Sequence, residues 1–196
     1  MYKIGFIGVG NMGTAILKGI AGSAMKSQVS LFAFNPSKER VDALAEYGVQ
    51  KCASEAEAAA SCKYLFLAIK PQMFDAVLPK IAQAITEETV LVSIAAGMGV
   101  DYIRRLTKPY AKVILVMPNT PLLLREGATA LSREDSVTDA EFAVVREIFD
   151  ACGKTAVLST DQMKEIITIN SSSPAFIYLF AKGFLDYAAE VGLPVD

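Results

Sequence analysis

Glycine recurs as Gly8-Val9-Gly10-Asn11-Met12-Gly13, directly after the apolar run Lys3 to Val9 and before a segment of helical character, Thr14 to Ile20. This spacing suits phosphate chemistry. The first glycine permits a tight turn, the second lets a pyrophosphate approach the backbone, and the third allows the helix to lie close against the strand. The amino end of that helix, at Asn11 and Met12, then offers unpaired N–H groups to a phosphate. Strand and helix geometry alone would use the same glycines, so the fingerprint takes its weight from its place between a strand and a helix.

The chain contains no histidine. A triad built on histidine, a histidine acid/base step and a histidine-ligated metal site are thereby excluded. The cysteines, Cys52, Cys62 and Cys152, are odd in number and lack C-x-x-C spacing, so they read as ordinary buried thiols and no metal site is expected. What remains is chemistry by carboxylates, hydroxyls, lysine, backbone donors or a bound cofactor.

The end of the second strand bears on which cofactor. Enzymes that use NAD often place an acidic residue there to bind the ribose hydroxyls, whereas this chain reads Phe34-Asn35-Pro36-Ser37-Lys38-Glu39-Arg40. Asn35 and Ser37 can donate hydrogen bonds to a 2′-phosphate, and Lys38 or Arg40 can oppose its charge, which favours NADPH while admitting NADH. The same residues also suit a helix cap with solvated cations, and both roles can coexist. In Ala68-Ile69-Lys70-Pro71-Gln72, Lys70 can reach ribose or phosphate from a loop stiffened by Pro71, or simply begin a helix. The small residues of Ser93-Ile94-Ala95-Ala96-Gly97, Ala95 and Gly97 above all, leave room for a cofactor or for a tightly packed turn.

These residues require elements to position them. Strands are expected at Val29 to Phe34, Tyr64 to Ile69, Thr89 to Ile94 and Lys112 to Met117, with helices from Asn35-Pro36 to about Tyr47, over Phe74 to Ala84 and over Gly97 to Thr107. Ser54 to Glu57 and Thr138 to Glu141 match the capping box and mark helix starts rather than catalytic carboxylates. Further strands are expected at Ala128 to Leu131 and Thr155 to Leu158, around a helix from Thr138 to Ala151. Such alternation specifies an α/β fold with a parallel sheet covered on both faces. After Leu158 the pattern turns helical, through Gln162 to Thr168 and the apolar Ala175 to Val191, in which Phe176, Phe180, Phe184 and Tyr187 recur at helical spacing.

A length of 196 residues corresponds to one whole domain and part of another, so residues 1–158 are read as the nucleotide-binding domain and 159–196 as a linker and the start of a helical domain that stops at Asp196 before its apolar faces meet partners. The 19 basic and 21 acidic residues leave a net charge of −2, which argues against a nucleic-acid platform. No apolar run reaches membrane-spanning length, so a soluble cytoplasmic protein is expected.

Taken together, Gly8 to Gly13, Ala68-Ile69-Lys70-Pro71-Gln72 and Met117-Pro118-Asn119-Thr120-Pro121, continued by Arg125-Glu126-Gly127-Ala128-Thr129, resemble the pyrroline-5-carboxylate reductase family. The resemblance implies an N-terminal Rossmann domain, a C-terminal all-helical dimerisation domain, a homodimer or a higher oligomer built from dimers, and NAD(P)H-dependent reduction of 1-pyrroline-5-carboxylate to proline. It makes the cyclic imine carboxylate the small-molecule partner, with neither nucleic acid nor membrane involved. It assigns nicotinamide placement to Asn119 and Thr120, which by themselves suit the cap of a turn equally well. It sets Asn170-Ser171-Ser172-Ser173-Pro174-Ala175-Phe176 at the family's Ser/Gly-rich substrate loop, with Ser172 and Ser173 contacting the substrate carboxylate. Four positions depart from the family pattern: Asn170 for serine, Ser171 for glycine, Phe176 for tyrosine and Leu115 for arginine.

The implied reaction needs no histidine and no strong enzymatic acid, because a cyclic imine can enter already protonated, and no conventional general base is nominated; no catalytic residue is therefore named. The protein's task is to hold donor and acceptor together and exclude water. Two other readings remain open: a related NAD(P)-dependent oxidoreductase for another small substrate, such as a hydroxyacid, and a noncatalytic nucleotide-binding regulator.

Overall fold

The computed structural model describes residues 1–194; Val195 and Asp196, the end of the segment read as the second domain, lie outside the described residues. The chain begins β1 (Tyr2–Ile7), α1 (Asn11–Ala21), β2 (Val29–Phe34), α2 (Lys38–Asp42) and β3 (Val49–Lys51). It continues α3 (Glu55–Ser61), β4 (Tyr64–Leu67), α4 (Phe74–Ile81), β5 (Val90–Ser93), α5 (Val100–Leu106) and β6 (Lys112–Met117). β7 (Gly127–Arg133), α6 (Asp139–Asp150), β8 (Gly153–Val157), α7 (Gln162–Ile166), a π-helical turn (Ile167–Ser172) and α8 (Ser173–Glu190) complete it.

The strands form one eight-stranded sheet in the order β3-β2-β1-β4-β5-β6-β7-β8. Successive strands add outward from β1 on one side and from β4 on the other, so the winding reverses between β1 and β4. Ligands of such sheets bind in the crevice outside the carboxyl ends of the strands at this reversal. All neighbouring strands are parallel except β6 and β7, which pair antiparallel from Ile114↔Arg133 to Met117↔Ala130. The all-parallel expectation fails at that pair for a physical reason. A short 3-10 turn, Thr120–Leu124, joins β6 to β7 in place of a crossover helix, and a chain that turns back without a crossover returns antiparallel.

Alternation along the central strands divides the core in two. Ile4, Phe6, Phe66, Val92, Ile114 and Val116 face one layer, with Ile16 and Leu17 of α1 and Ile148 and Phe149 of α6. Ile7, Leu65, Leu67, Leu91, Val113 and Leu115 face the other, with Phe74 and Leu78 of α4, Ile103 of α5 and Met163 of α7. β4 and β5 are buried along their whole length, as expected of strands covered on both faces. Each large side chain so enclosed contributes about 1.5–3 kcal/mol relative to exposure, which is what holds the strand ends, and hence the crevice, in place.

Two local expectations also change. Asn35 does not cap the second helix, because its carboxamide is engaged with the glycine loop; Ser37 takes the N-cap position, and the helix runs only to Asp42 before a 3-10 turn ending at Tyr47. β3 is an additional edge strand, three residues long, whose Gln50 and Lys51 are exposed. The Thr138 capping box is complete, whereas at Ser54 the Glu57 carboxylate accepts from Ala53 N–H instead of the cap residue's own.

Candidate functional site

β1 and β4 deliver the two loops that meet at the crevice. Gly8 has φ +96°, and a Cβ there would lie 2.4 Å from the Ala68 carbonyl oxygen, so glycine alone lets the loop after β1 cross the loop after β4. A Cβ on Gly13 would lie 2.6 Å from the Gly8 carbonyl oxygen, which locks α1 against the same turn. Gly10 differs: nothing stands within 4 Å of the Cβ it would carry. Its backbone faces open space.

α1 starts at Asn11 with Gly10 as an extended N-cap and no side-chain cap, and its first hydrogen bond runs from Thr14 N–H to the Gly10 carbonyl at 2.9 Å. The amides of Asn11, Met12 and Gly13 therefore have no intrahelical partner and lie at the positive end of the helix dipole. Over them opens a groove of about 550 Å³, walled by Gly10 to Gly13, Arg40, Ala68 to Pro71, Ile94 to Ala96, Met117, Pro118 and Ser171. A smaller hollow of about 210 Å³ continues it past Phe34, Asn35 and Pro36 at the end of β2, sharing Gly10, Arg40, Ala68, Ile69 and Lys70. The groove's walls carry two cations, Arg40 and Lys70, and no carboxylate. Open space above Gly10, unpaired amides and two cations fit an extended anionic ligand such as a dinucleotide.

Residues 3–97 match the family model for NADP oxidoreductase, coenzyme F420-dependent. The pyrroline-5-carboxylate reductase of Escherichia coli K12 is 34% identical over 193 residues, 98% of this chain and 72% of that protein. Pyrroline-5-carboxylate reductase 3 of Bos taurus is 31% identical over 192 residues, 98% of this chain and 62% of that protein. Among solved structures, a Plasmodium falciparum pyrroline carboxylate reductase with NADP bound superimposes with a TM-score of 0.87 at 29% identity, over 98% of this chain and 71% of that one. The chain belongs to the pyrroline-5-carboxylate reductase family. It is an NAD(P)-dependent oxidoreductase with a Rossmann-type sheet followed by the start of a helical region, and no helix among the described residues is long and apolar enough to cross a membrane.

Of the residues this reductase-family chain was expected to use for cofactor, Gly8, Gly10, Asn11, Met12, Gly13, Asn35, Ala68, Lys70, Pro71 and Ala95 come together around the two connected hollows. Asn35 also braces the fingerprint: its Oδ1 accepts from Val9 N–H at 3.2 Å and its Nδ2 donates to the Ser37 carbonyl at 3.1 Å. Ser37 and Lys38 line neither hollow. The Ser37 hydroxyl donates to Glu39 at 2.9 Å, and the Glu39 backbone N–H together with that hydroxyl holds the Glu39 carboxyl below its ordinary value. Arg40, further along α2, reaches both hollows, as Lys70 does from the loop after β4.

Gly97 lies instead at a cavity of about 60 Å³ beside Met98, Leu115 and Met163. Asn119 turns inward: its Oδ1 accepts from Ala128 N–H at 2.9 Å and its Nδ2 donates to Asn170 Oδ1 at 3.3 Å, while Thr120 is exposed. The serine segment is not a loop but a π-helical turn that runs on into α8. The Ser173 hydroxyl donates back to the Ile169 carbonyl, and Ser172 stands at the junction with α8. It is Ser171 that lines the groove. The sequence marks this residue only as a departure from glycine; the signal it lacks is the turn that rotates the side chain inward.

The remaining perturbed groups belong to the frame. All three thiols are buried, and burial pushes Cys62 up to about 12. Burial raises the Glu141 carboxyl, but Lys112, the Thr138 backbone N–H, Lys63 and the Thr138 hydroxyl outweigh it and hold it down at about 2.

Proposed function

We propose that this chain reduces 1-pyrroline-5-carboxylate to L-proline, with NADPH preferred over NADH. The observation that carries the reading is the groove itself, which crosses the winding reversal from Arg40 to Ser171 in a chain 34% identical to a reductase of this substrate. When bound, the reduced nicotinamide supplies a hydride for the imine carbon. The π electrons of the C=N bond pass to nitrogen, which keeps the proton with which the substrate entered. Because the substrate brings its own proton, the reaction asks the protein for no strong acid.

The chain's own residues bind and orient. The amides of Asn11 to Gly13 receive the pyrophosphate, Gly10 leaves it room, and Lys70 and Pro71 flank the ribose. Arg40 of α2 lines the hollow beyond the end of β2, and its charge there opposes a 2′-phosphate. Ser172, at the junction of the π-helical turn with α8, is the residue of the expected pair left to hold the substrate carboxylate, because the Ser173 hydroxyl already donates to the Ile169 carbonyl. Asn119 acts through its hold on Ala128 and Asn170, and Thr120 borders the same loop.

The segment after Leu158 serves as linker and beginning of a helical unit, with α7 still packed on the sheet through Met163, and the exposed Phe176, Phe180, Phe184 and Tyr187 meet a second copy in a cytoplasmic homodimer. The test is oxidation of NADPH and of NADH in the presence of 1-pyrroline-5-carboxylate, with proline quantified. Proline formed faster with NADPH is expected; turnover of a small hydroxyacid or keto acid without turnover of the imine would contradict the proposal.

A further inference from the structure

We infer that the Ser171 hydroxyl is a hydrogen-bonding contact for the nicotinamide half of the bound dinucleotide, an inference that rests on the dinucleotide reading of the groove. Among the described residues, Ser171 Oγ is the buried side-chain polar atom left without a hydrogen-bond partner. A buried hydroxyl without a partner is disfavoured and rare in native proteins, so its place demands an explanation. It lies in the wall of the groove that begins at the glycine loop.

The direction of the ligand follows from the sheet. With pyrophosphate on the α1 amides, the adenosine half lies toward the end of β2, which is where such folds read the adenosine ribose. The nicotinamide half must extend the other way, over the ends of β4, β5 and β6. At that end the walls are Ile94, Ala95, Ala96, Met117 and Pro118, none of which carries a side-chain donor or oxygen acceptor. The nicotinamide carboxamide and its ribose hydroxyls all need hydrogen-bond partners. Ser171 is the polar side chain present there.

The fold also fixes where that hydroxyl stands. Asn170 donates from Nδ2 to the Met117 carbonyl at 2.9 Å and to the Ala128 carbonyl at 2.8 Å, and accepts at Oδ1 from Asn119 at 3.3 Å. Its amide is saturated by the ends of β6 and β7, and it clamps the π-helical turn onto the sheet. Ser171, the next residue, is thereby fixed in the groove wall to which Met117 and Pro118 also belong.

Calorimetric titration of wild-type protein and Ser171→Ala with NADP+ and with adenosine 2′,5′-bisphosphate tests the inference, alongside thermal melting of both proteins without ligand. Ser171→Ala is expected to weaken NADP+ about 3- to 10-fold, the loss of one hydrogen bond. It should leave the adenosine fragment's affinity unchanged and the ligand-free melting temperature no lower than wild type, because no bond within the protein is removed. Wild-type affinity for NADP+ in the variant would overturn the inference, also if the KM for the imine rose, since the hydroxyl would then serve substrate. Equal weakening of NADP+ and the fragment would overturn it as well. A wild-type protein that binds neither ligand would overturn the reading of the groove and the inference with it.

Discussion

Replacing Gly10 or Gly8 by alanine separates two roles that the glycine fingerprint combines. A methyl at Gly10 meets no protein atom but occupies the space above the α1 amides, so Gly10→Ala should melt like wild type and bind NADP+ at least about 10-fold more weakly. A methyl at Gly8 meets the Ala68 carbonyl in left-handed backbone, so Gly8→Ala should lose about 2 kcal/mol or more of stability, seen by denaturant titration. Arg40→Ala should reduce the ratio of NADPH to NADH kcat/KM by about 10-fold, as loss of a charge-assisted contact requires. The glycines are legible in the sequence because their spacing is local. Asn35 and Asn119 read equally well as ligand contacts, yet their amides engage Val9 and Asn170, partners 26 and 51 positions away that only the folded chain brings near. The choice of Arg40 over Lys38 depends on where α2 begins, and the Asn35 bond to Val9 moves that start to Ser37.

At the scale of elements, α6 owes its start to Thr138 and Glu141, and the same carboxylate reaches Lys112 at 3.0 Å and Lys63 at 3.1 Å. Its folded value of about 2 lies below the unfolded one, so its stabilisation is fully present above about pH 5 and is lost as pH falls toward 2. Melting temperature should therefore drop across that window. Glu141→Gln should cost about 2 kcal/mol at pH 7 and flatten the acid dependence. Asn170→Ala, which strips the Met117 and Ala128 carbonyls of a donor, should cost about 2 kcal/mol in the same melting assay. The Thr138 capping box, the helix start at Ser54 and the strands β2 and β6 are legible with their bounds, since short-range patterns define them. The π-helical turn is not, because Pro174 suits a helix start and nothing local announces a helix that continues through it; the wide turn coincides with the Asn170 clamp to two strand ends. β3 is hidden because its residues beyond Val49 are polar and edge-exposed.

For the whole molecule, strict alternation of strand and helix through Met117 makes the doubly wound sheet and its crevice readable from the residues alone, since parallel strands buried on both faces leave continuous apolar runs. The reversal of β7 is not readable, because a turn of proline and leucine can lead to either strand direction. The sheet end gathers glycine amides, two cations and one unpaired hydroxyl into a single groove, and the central claim is that a hydride crosses that groove to a cyclic imine. The most direct test uses NADPH carrying deuterium at C4 with 1-pyrroline-5-carboxylate, followed by mass spectrometry and NMR of the product. Proline bearing one deuterium at the former imine carbon is the predicted result. Cofactor oxidation that leaves proline unlabelled, with either face of C4 deuterated, or no proline from protein shown to bind NADPH, would contradict it.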